Sequence, residues 1–318
     1  MIPLGTGARV RSGGPARSGL ALLRKPKGIT SFQALSPLKR SLDSGKIGHA
    51  GTLDKFAEGL LVALVGSYSR LAPYVQAGEK RYIGLIAFGK QTDTLDPEGE
   101  VVAEGPLPER GKLEEALRAF RGPILQKPPA YSAVHVAGKR AYELALKGQE
   151  PELKGRNVEI RELSLLSYEE GRARIEVRCT SGTYIRALAR DIAFACGSCA
   201  YLLELERLSI GPYFVDQAVA PESFDPDRDL RTFTPADASA LGLRAFELCT
   251  SSLTFRFSNG GKLESGAFFA LDGRGPCSTP GPDAAVFDSG GKILGIMGLE
   301  TSGPRYKAVM PTDEGISA

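Results

Sequence analysis

The chain has 318 residues, 42% of them hydrophobic and 24% charged, and a formal net charge of +3. These values are typical of a folded protein of about two domains and exclude a fibrous or largely disordered chain. No apolar run approaches the roughly 18 residues that cross a bilayer, and no apolar leader opens the sequence. We therefore expect no membrane segment and a cytoplasmic location.

The predicted elements of the first half are short and mixed in type. A disordered Gly-, Arg- and Ser-rich tail is expected over residues 1–19. The apolar and turn patterns after it predict the following elements: a strand at 20–24, a helix from Thr30 or Ser31 to Leu42, a buried helix or helix–strand edge at Phe56–Val65, a strand at Tyr82–Phe88, a polar turn from Asp93 to Gly99 and a strand at Val101-Val102.

The second half of the chain also mixes predicted helices and strands, and it ends in a β-rich segment. Its patterns predict a helix at about 108–121, a polar excursion at 138–157, a strand through Ile175 and Cys179, a helix through Ile185–Ile192, a linker at 221–240, a strand at Thr254–Phe257 and two strands flanking a tight turn at 288–291. Together the elements predict an α+β protein with a small, mostly β module at the end.

Basic residues are concentrated near the beginning of the chain. Residues 20–90 contain eleven Lys or Arg and only four Asp or Glu. Such an excess favours a polyanionic partner facing this region. A well-solvated surface without any partner would have the same composition, so charge alone leaves both interpretations open.

The cysteines and histidines argue against a cofactor. Five cysteines, an odd number, are not typical of a disulfide framework. Cys196 and Cys199 have the spacing of a metal or redox motif, but the pair follows a predicted helix and the only histidines, His49 and His135, are distant in sequence. We predict packing roles for both thiols and no metal. Phosphate-loop, dinucleotide and HExxH motifs are absent from the sequence too, so any chemistry is expected to need no cofactor.

The segment GHAGTLDKFAEGLL at 48–61 crowds His49, three glycines and Asp54 into a short stretch. An aspartate before an apolar helix is a favoured N-cap. An ionised carboxylate, with an ordinary pKa of about 3.9, is equally suited to act as a nucleophile or base at neutral pH. The residues alone leave capping and catalysis open.

Five segments with unusual residues occur in a fixed order along the chain. They are KPKGITS at 25–31, GHAGTLD at 48–54, KRY at 80–82 with GKQTDT at 89–94, PAYSA at 129–133 and SGTYIR at 181–186. From about residue 20 to residue 215 the chain closely resembles the tRNA pseudouridine synthase B (TruB) family. The C-terminal part resembles a PUA domain, which is a small RNA-binding β-barrel.

This resemblance implies a fold, a reaction and a division into domains. The fold would be a mixed or antiparallel central sheet with flanking helices over residues 20–245, with a thumb-like insertion at about 135–160 and a PUA-like domain at 250–312. The reaction would be the isomerisation of uridine 55 in the T arm of tRNA to pseudouridine, without a cofactor. A tRNA-folding role and a monomeric state are also expected.

The resemblance also implies roles for particular residues. Asp54 would be the catalytic aspartate, Arg186 the arginine that pairs with it and Tyr82 the aromatic ring that stacks on the flipped base. His49 would enter the T loop. The remaining residues are expected to line the pocket or to contact phosphates: Tyr184 and Leu208 for the pocket, and Lys25, Lys80, Arg81 and Lys90 for the phosphates.

One departure and three rival hypotheses accompany this interpretation. Where the family commonly has proline and then a small hydroxyl residue after the aspartate, this chain has Lys55 and Glu58, which puts the local loop geometry in question. The rivals are a pseudouridine synthase for another RNA, an RNA-binding or tRNA-folding protein without catalysis, and a glycosidase. The last requires a second carboxylate motif, and the sequence contains no convincing one.

Overall fold

A nine-stranded mixed sheet forms the centre of the molecule, and a five-stranded sheet follows it. The structure is a computed structural model that describes residues 17–42, 46–132, 135–136, 139–140, 153–248, 250–263, 267–271, 281–300 and 303–310. Residues 1–16 of the predicted tail at 1–19, and much of the predicted thumb insertion, lie outside these ranges, whereas Gly19 already begins a strand. No helix in the described ranges is long and apolar enough to cross a membrane.

The strands occur in this order: β1 (Gly19–Lys25), β2 (Ile47–His49), β3 (Glu58–Val65), β4 (Lys80–Phe88), β5 (Lys90–Thr92), β6 (Val101–Glu104), β7 (Gly122–Gln126), β8 (His135–Val136), β9 (Lys139–Arg140), β10 (Arg156–Glu169), β11 (Arg172–Cys179), β12 (Ala200–Ile210), β13 (Tyr213–Phe214), β14 (Arg244–Leu248), β15 (Phe268–Ala270), β16 (Gly281–Asp288), β17 (Ile293–Glu300) and β18 (Gly303–Val309). The helices are α1 (Ser31–Ala34), α2 (Ser36–Leu42), α3 (Ala72–Ala77), α4 (Arg110–Ala119), α5 (Ile185–Ala195), α6 (Pro226–Asp229), α7 (Pro235–Ala240) and α8 (Ser251–Ser258), with 3-10 turns at Gly66–Leu71, Val215–Gln217 and Pro221–Ser223.

The central sheet has the order β1-β3-β12-β4-β11-β10-β7, with β2 beside β3 and β13 beside β12. Its pairs are antiparallel except β12 with β3, which run parallel through a short contact. The Tyr82–Phe88 strand, the helix at 108–121 and the elements around Ile175 and Ile185 are confirmed. Residues 156–160, expected to end the thumb, instead begin β10.

Residues 58–65 form strand β3, so the helical interpretation of this segment is wrong. Both faces of the strand are buried: Leu60 and Val62 pack into one cluster with residues of the C-terminal sheet, while Leu61 and Ala63 pack into another with the α1–α2 region. A strand covered on both sides loses the alternating pattern and cannot be distinguished from a buried helix by periodicity.

The five-stranded sheet has the order β15-β14-β16-β17-β18 and packs against the central part. Phe233, which precedes this sheet, stacks on Phe287 of β16 with ring centroids 6.5 Å apart. Because β14 begins at Arg244, the second sheet starts earlier than the predicted domain boundary near 250.

Two expectations for the C-terminal half are wrong. Residues 254–257 lie in helix α8 and not in a strand, because Thr250 caps the helix by accepting a hydrogen bond from the Leu253 amide (3.3 Å). The expected linker at 221–240 contains α6, α7 and a 3-10 turn, and buries Phe224 and Phe233 in the core. Those two phenylalanines explain why this Pro- and Asp-rich segment is ordered.

Candidate active site

Asp54 lies in a loop between β2 and β3. The residue before it is anchored: the Leu53 amide donates to the buried Ser31 hydroxyl (2.8 Å), which donates to the Leu53 carbonyl (3.0 Å). Gly51 adopts a φ of 91°, a conformation that favours glycine. Because a strand follows at Glu58, Asp54 caps no helix, and the capping alternative for it is wrong.

Arg186 reaches this loop from the first turn of helix α5. Its Nε lies 2.9 Å from Oδ2 of Asp54, and its Nη2 donates to Oδ1 at 3.3 Å. Arg186 itself is only 5% exposed, so the ion pair lies at the edge of the protein interior. The planar guanidinium thus presents two nitrogens to one carboxylate and fixes its orientation.

Asp96 is a second carboxylate on Arg186, and the sequence analysis missed it. Nη1 of Arg186 lies 3.0 Å from Oδ2 of Asp96 and donates to the Thr94 carbonyl at 2.8 Å, while Nη2 donates to the Tyr131 carbonyl at 3.0 Å. Asp96 is held in turn by the Thr94 hydroxyl (2.6 Å). Arg186 is therefore held between two carboxylates and two carbonyls, and it positions Asp54 rigidly.

The electrostatic environment of Asp54 makes its carboxyl group harder to ionise. Burial raises its pKa above the ordinary 3.8, and the negative charge of Asp96 adds to this shift, while Arg186 opposes it. The side chain is 38% exposed and so can still be reached from solvent. A partly desolvated carboxylate of raised pKa is a stronger base than an ordinary one.

Tyr82 lies on β4 and is 6% exposed. It belongs to the same apolar cluster as Leu53 and Phe56, the residues on either side of Asp54 and Lys55. Burial raises the pKa of its hydroxyl to about 12, although the guanidinium of Arg207 acts in the opposite direction. Tyr82 is therefore protonated at neutral pH, and its cluster contacts both sides of the loop that carries Asp54.

Leu208, Tyr184 and His49 are all half-buried. Leu208 lies at a register shift where β12 pairs with β4, opposite the Arg81–Tyr82 step. Tyr184 immediately precedes α5, and its backbone is held by the side chain of Gln126 (2.8 and 3.2 Å). His49 ends β2, and burial lowers its pKa, so it is neutral at neutral pH.

Lys25 and Lys80 are buried and do not present their ammonium groups to a phosphate surface. The Lys25 ammonium donates to the carbonyls of Ile29 (2.7 Å), Pro26 (3.0 Å) and Lys55 (3.4 Å). The Lys80 ammonium donates to the Gly78 carbonyl at 2.7 Å. Burial lowers both pKa values to about 8. Both ammonium groups therefore hydrogen-bond to the backbone of neighbouring loops inside the protein. This placement differs from the phosphate contacts that were expected of Lys25 and Lys80.

Arg81 and Lys90 are exposed, as phosphate contacts would need to be, and each forms an ion pair: Arg81 with Glu176, and Lys90 with Glu104 at 3.5 Å.

The two residues that depart from the family pattern, Lys55 and Glu58, also form ion pairs. Lys55 lies 3.0 Å from Glu98, and Glu58 lies 3.7 Å from Lys27. The Lys55–Glu98 pair connects the loop of Asp54 to the turn that contains Asp96.

The thiols of Cys196 and Cys199 contact different elements. Cys196 Sγ lies 3.8 Å from the Lys112 carbonyl, whereas Cys199 Sγ lies 3.7 Å from the Ala103 carbonyl. Burial raises both pKa values, which keeps the thiols protonated and unreactive. Within the described residues no group of three His, Cys, Asp or Glu side chains is arranged to hold a metal ion.

Comparison with known sequences identifies close relatives. The model of the family described as "TruB family pseudouridylate synthase (N terminal domain)" matches residues 39–185. The tRNA pseudouridine synthase B of Borreliella burgdorferi is 42% identical over 199 residues, covering 62% of this chain and 71% of that protein. The protein of the same name from Bordetella parapertussis is 42% identical over 222 residues, covering 69% of this chain and 91% of that protein.

Solved structures extend the similarity to the fold of the whole chain. A chain of an archaeal box H/ACA sRNP Nop10–Cbf5 complex gives a TM-score of 0.68 at 18% identity, covering 94% of this chain and 88% of that one. A chain of a Cbf5–Nop10–Gar1 complex gives a TM-score of 0.66 at 20% identity, covering 93% and 86%. The α+β fold with a mixed central sheet and flanking helices is thereby confirmed.

Proposed function

We propose that this chain, which belongs to the TruB family of pseudouridylate synthases and is an isomerase of that family, converts uridine 55 in the T arm of tRNA into pseudouridine. The observation that carries the proposal is the pairing of Asp54 with Arg186 (2.9 Å) in a loop that packs with Tyr82. These are the positions that resemble the aspartate, arginine and tyrosine of the family.

The proposed reaction rearranges one glycosidic bond and leaves the composition of the RNA unchanged. The bond from C1′ to N1 of the uracil breaks, the ring turns, and a bond from C1′ to C5 forms. C5 then loses its proton, and N1 ends with a proton. Because the atoms and electrons balance within the nucleotide, the residues present are sufficient and no cofactor is needed.

Each residue then has a proposed task. Asp54 acts through its ionised carboxylate, as nucleophile or base, and Arg186 keeps it oriented. Tyr82 provides an aromatic surface for the uracil after it leaves the RNA stack, a contact worth roughly 1–3 kcal/mol per base. Leu208 and Tyr184 line the same pocket, and His49 enters the T loop as a neutral imidazole.

The proposed RNA surface uses exposed cations. Arg81 and Lys90 would exchange their carboxylate partners for phosphates, which makes binding weaken as salt rises. We assign the second sheet as a PUA-like RNA-binding domain; its cleft of about 450 Å³ is lined by Lys262, Tyr306 and the Arg305–Glu300 ion pair (3.6 Å) together with apolar side chains. We further propose that the enzyme is monomeric, and opening the tRNA elbow to reach the uridine supports an additional tRNA-folding role.

The proposal is tested by incubating the purified protein with an unmodified T-arm stem-loop and mapping pseudouridine at single-nucleotide resolution. We expect one product, at the T-loop uridine, and none on a matched stem-loop in which that uridine is replaced by cytidine. A ribosomal RNA fragment serves as the competing substrate. Modification of that fragment alone would favour the rival RNA substrate, and binding of the stem-loop without product would favour a non-catalytic RNA-binding protein.

A further inference from the structure

Arg207 is a buried guanidinium that the mechanism above does not use. The residue is 1% exposed and is among the largest fully buried side chains of the described chain. It donates from Nε to the Leu60 carbonyl (2.8 Å), from Nη2 to the Gly51 carbonyl (3.0 Å) and from Nη1 to the Thr52 carbonyl (3.4 Å). It forms no ion pair with any carboxylate in the described residues.

Burying a charge without a partner of opposite sign costs several kcal/mol. The buried position of the Arg207 guanidinium therefore requires a physical explanation. Two of the three acceptors, Gly51 and Thr52, lie in the loop that carries Asp54, and the third lies in β3. The five donors of arginine are arranged in a fixed plane, so one side chain can hold several carbonyls at set angles. Arg207 therefore fixes the catalytic loop to the strand that follows it.

The same guanidinium reaches Tyr82. Arg207 and Tyr82 face each other in the antiparallel pairing of β12 with β4. Side chains of paired residues lie on the same face of a sheet, and the positive charge of Arg207 opposes the effect of burial on the pKa of the Tyr82 hydroxyl. One side chain is thus hydrogen-bonded to the loop of Asp54 and is the cross-strand neighbour of the ring that receives the base.

The backbone of Arg207 is also held by strand β3, which lies on the opposite side of β12 from β4. In the parallel pairing of β12 with β3, Arg207 is opposite Gly59. A Cβ atom at Gly59 would lie 2.4 Å from the Arg207 carbonyl oxygen, closer than real Cβ contacts. Only glycine allows β3 to approach β12 so closely. This approach places the guanidinium of Arg207 against the Asp54 loop.

We propose that Arg207 is a positioning residue of the reaction, which sets Asp54 and Tyr82 at the correct distance and angle to each other. This inference rests on the proposed function of those two residues. Arg207 has no access to the substrate itself, so it acts through its hydrogen bonds to the Gly51-Thr52 backbone and through its position opposite Tyr82 in the sheet. A misplacement of about 1 Å in such a site can cost on the order of 100-fold in rate.

The test compares Arg207→Lys and Arg207→Met with Arg244→Met under single-turnover conditions. Lysine keeps the positive charge, but its three donors all lie on one nitrogen at the end of a flexible stem, so it cannot reproduce the planar arrangement in which the guanidinium holds the Leu60, Gly51 and Thr52 carbonyls. Arg244 is a matched control because it is also buried (4% exposed) but stacks on Phe246 in the second sheet. All variants are assayed at saturating enzyme, well below their own melting temperatures.

We expect Arg207→Lys to lower the single-turnover rate by about 100-fold while the Kd for the stem-loop stays within about threefold. Arg244→Met should lower the melting temperature but keep the wild-type rate. A purely structural role would lower the melting temperature alone, so a wild-type rate in folded Arg207→Lys overturns the inference. If Arg207→Met does not fold, Arg207→Lys, which keeps the charge, decides the question. An inactive wild type would instead contradict the proposed function.

Discussion

The charged side chains at the site contact one another in sequence, and each one restricts the orientation of its neighbour. Asp54 and Asp96 both contact the guanidinium of Arg186, at 2.9 and 3.0 Å. The hydrogen bonds run from Nη2 to Asp54 at 3.3 Å and from Nη1 to Asp96 at 3.0 Å, and a hydrogen bond to a charged group contributes about 1.5–3 kcal/mol. Asp54 is consequently fixed in orientation while its carboxyl group is partly desolvated.

The raised pKa of Asp54 predicts how the rate depends on pH. If the carboxylate is the reactive form, the single-turnover rate is full above the pKa of Asp54 in the folded enzyme and is lost as the pH falls through it. Because burial and Asp96 raise that pKa, the acid limb should have its midpoint above 3.8. The rate is measured in steps from pH 7 to pH 4, with circular dichroism at each step to check folding. A rate that stays constant down to pH 4 would contradict this assignment.

Motifs predicted Asp54, Arg186 and Tyr82, whereas Asp96 and Arg207 were missed. Asp96 lies in the polar sequence DTLDPEG, which is typical of an exposed turn. Arg207 lies among charged residues in LELERLSI, which resembles a solvent-facing strand. The period of two nevertheless places Arg207 on the same face as Leu205, which is buried, and this signal would have indicated its burial.

At the level of elements, the site depends on the short parallel contact between β3 and β12. Residues 58 and 59 of β3 pair with 206 and 207 of β12, whereas the other neighbours in the central sheet are antiparallel. This contact brings the Asp54 loop, which precedes β3, beside Tyr82 on the adjacent strand β4. A change in the strand contact should therefore affect both stability and rate.

Replacing Gly59 with alanine tests that contact. Gly59 has a φ of 103°, and a Cβ there would lie 2.4 Å from the Arg207 carbonyl oxygen. A strained backbone alone costs about 1–3 kcal/mol, and the clash adds to this, so we expect Gly59→Ala to lower the free energy of unfolding by at least about 2 kcal/mol. Urea denaturation measures the change.

Gly111→Ala is the matched control for this substitution. Gly111 lies in α4, and a Cβ added there meets nothing within 4 Å. Alanine in a helix is favoured over glycine by up to about 1 kcal/mol, so this variant should be as stable as wild type or slightly more stable. Equal stability of Gly59→Ala and wild type would show that the β3–β12 contact tolerates a side chain.

One-sided burial made several element types predictable. Helix α5 has apolar residues at helical spacing, and β11 alternates, so the prediction for each is confirmed. Strand β3 is buried on both faces because a further layer covers it, and α8 was mistaken for a strand on four residues, Thr254–Phe257. Neither the covering layer nor the Thr250 cap can be inferred from apolar periodicity alone.

For the molecule as a whole, the two sheets share one apolar core. Leu22 and Leu60 of the central sheet lie in the same cluster as Phe287 and Ile296 of the second sheet. Tyr74 adds a polar link by donating to Asp283 of β16 at 3.2 Å. The second sheet therefore stabilises strands β1 and β3, and so supports the loop that carries Asp54.

The central claim is that the carboxylate of Asp54 performs the chemistry, and the Asp54→Asn variant tests it most directly. Pseudouridine formation on the T-arm stem-loop is followed in a single turnover, and stem-loop binding is measured in parallel. Asp227→Asn is the control, since that side chain is 81% exposed and its one ion pair among the described residues is with Arg17. We predict no product with Asp54→Asn, near-normal RNA binding, and a wild-type rate with Asp227→Asn. Product at the T-loop uridine at a similar rate in Asp54→Asn would contradict the account.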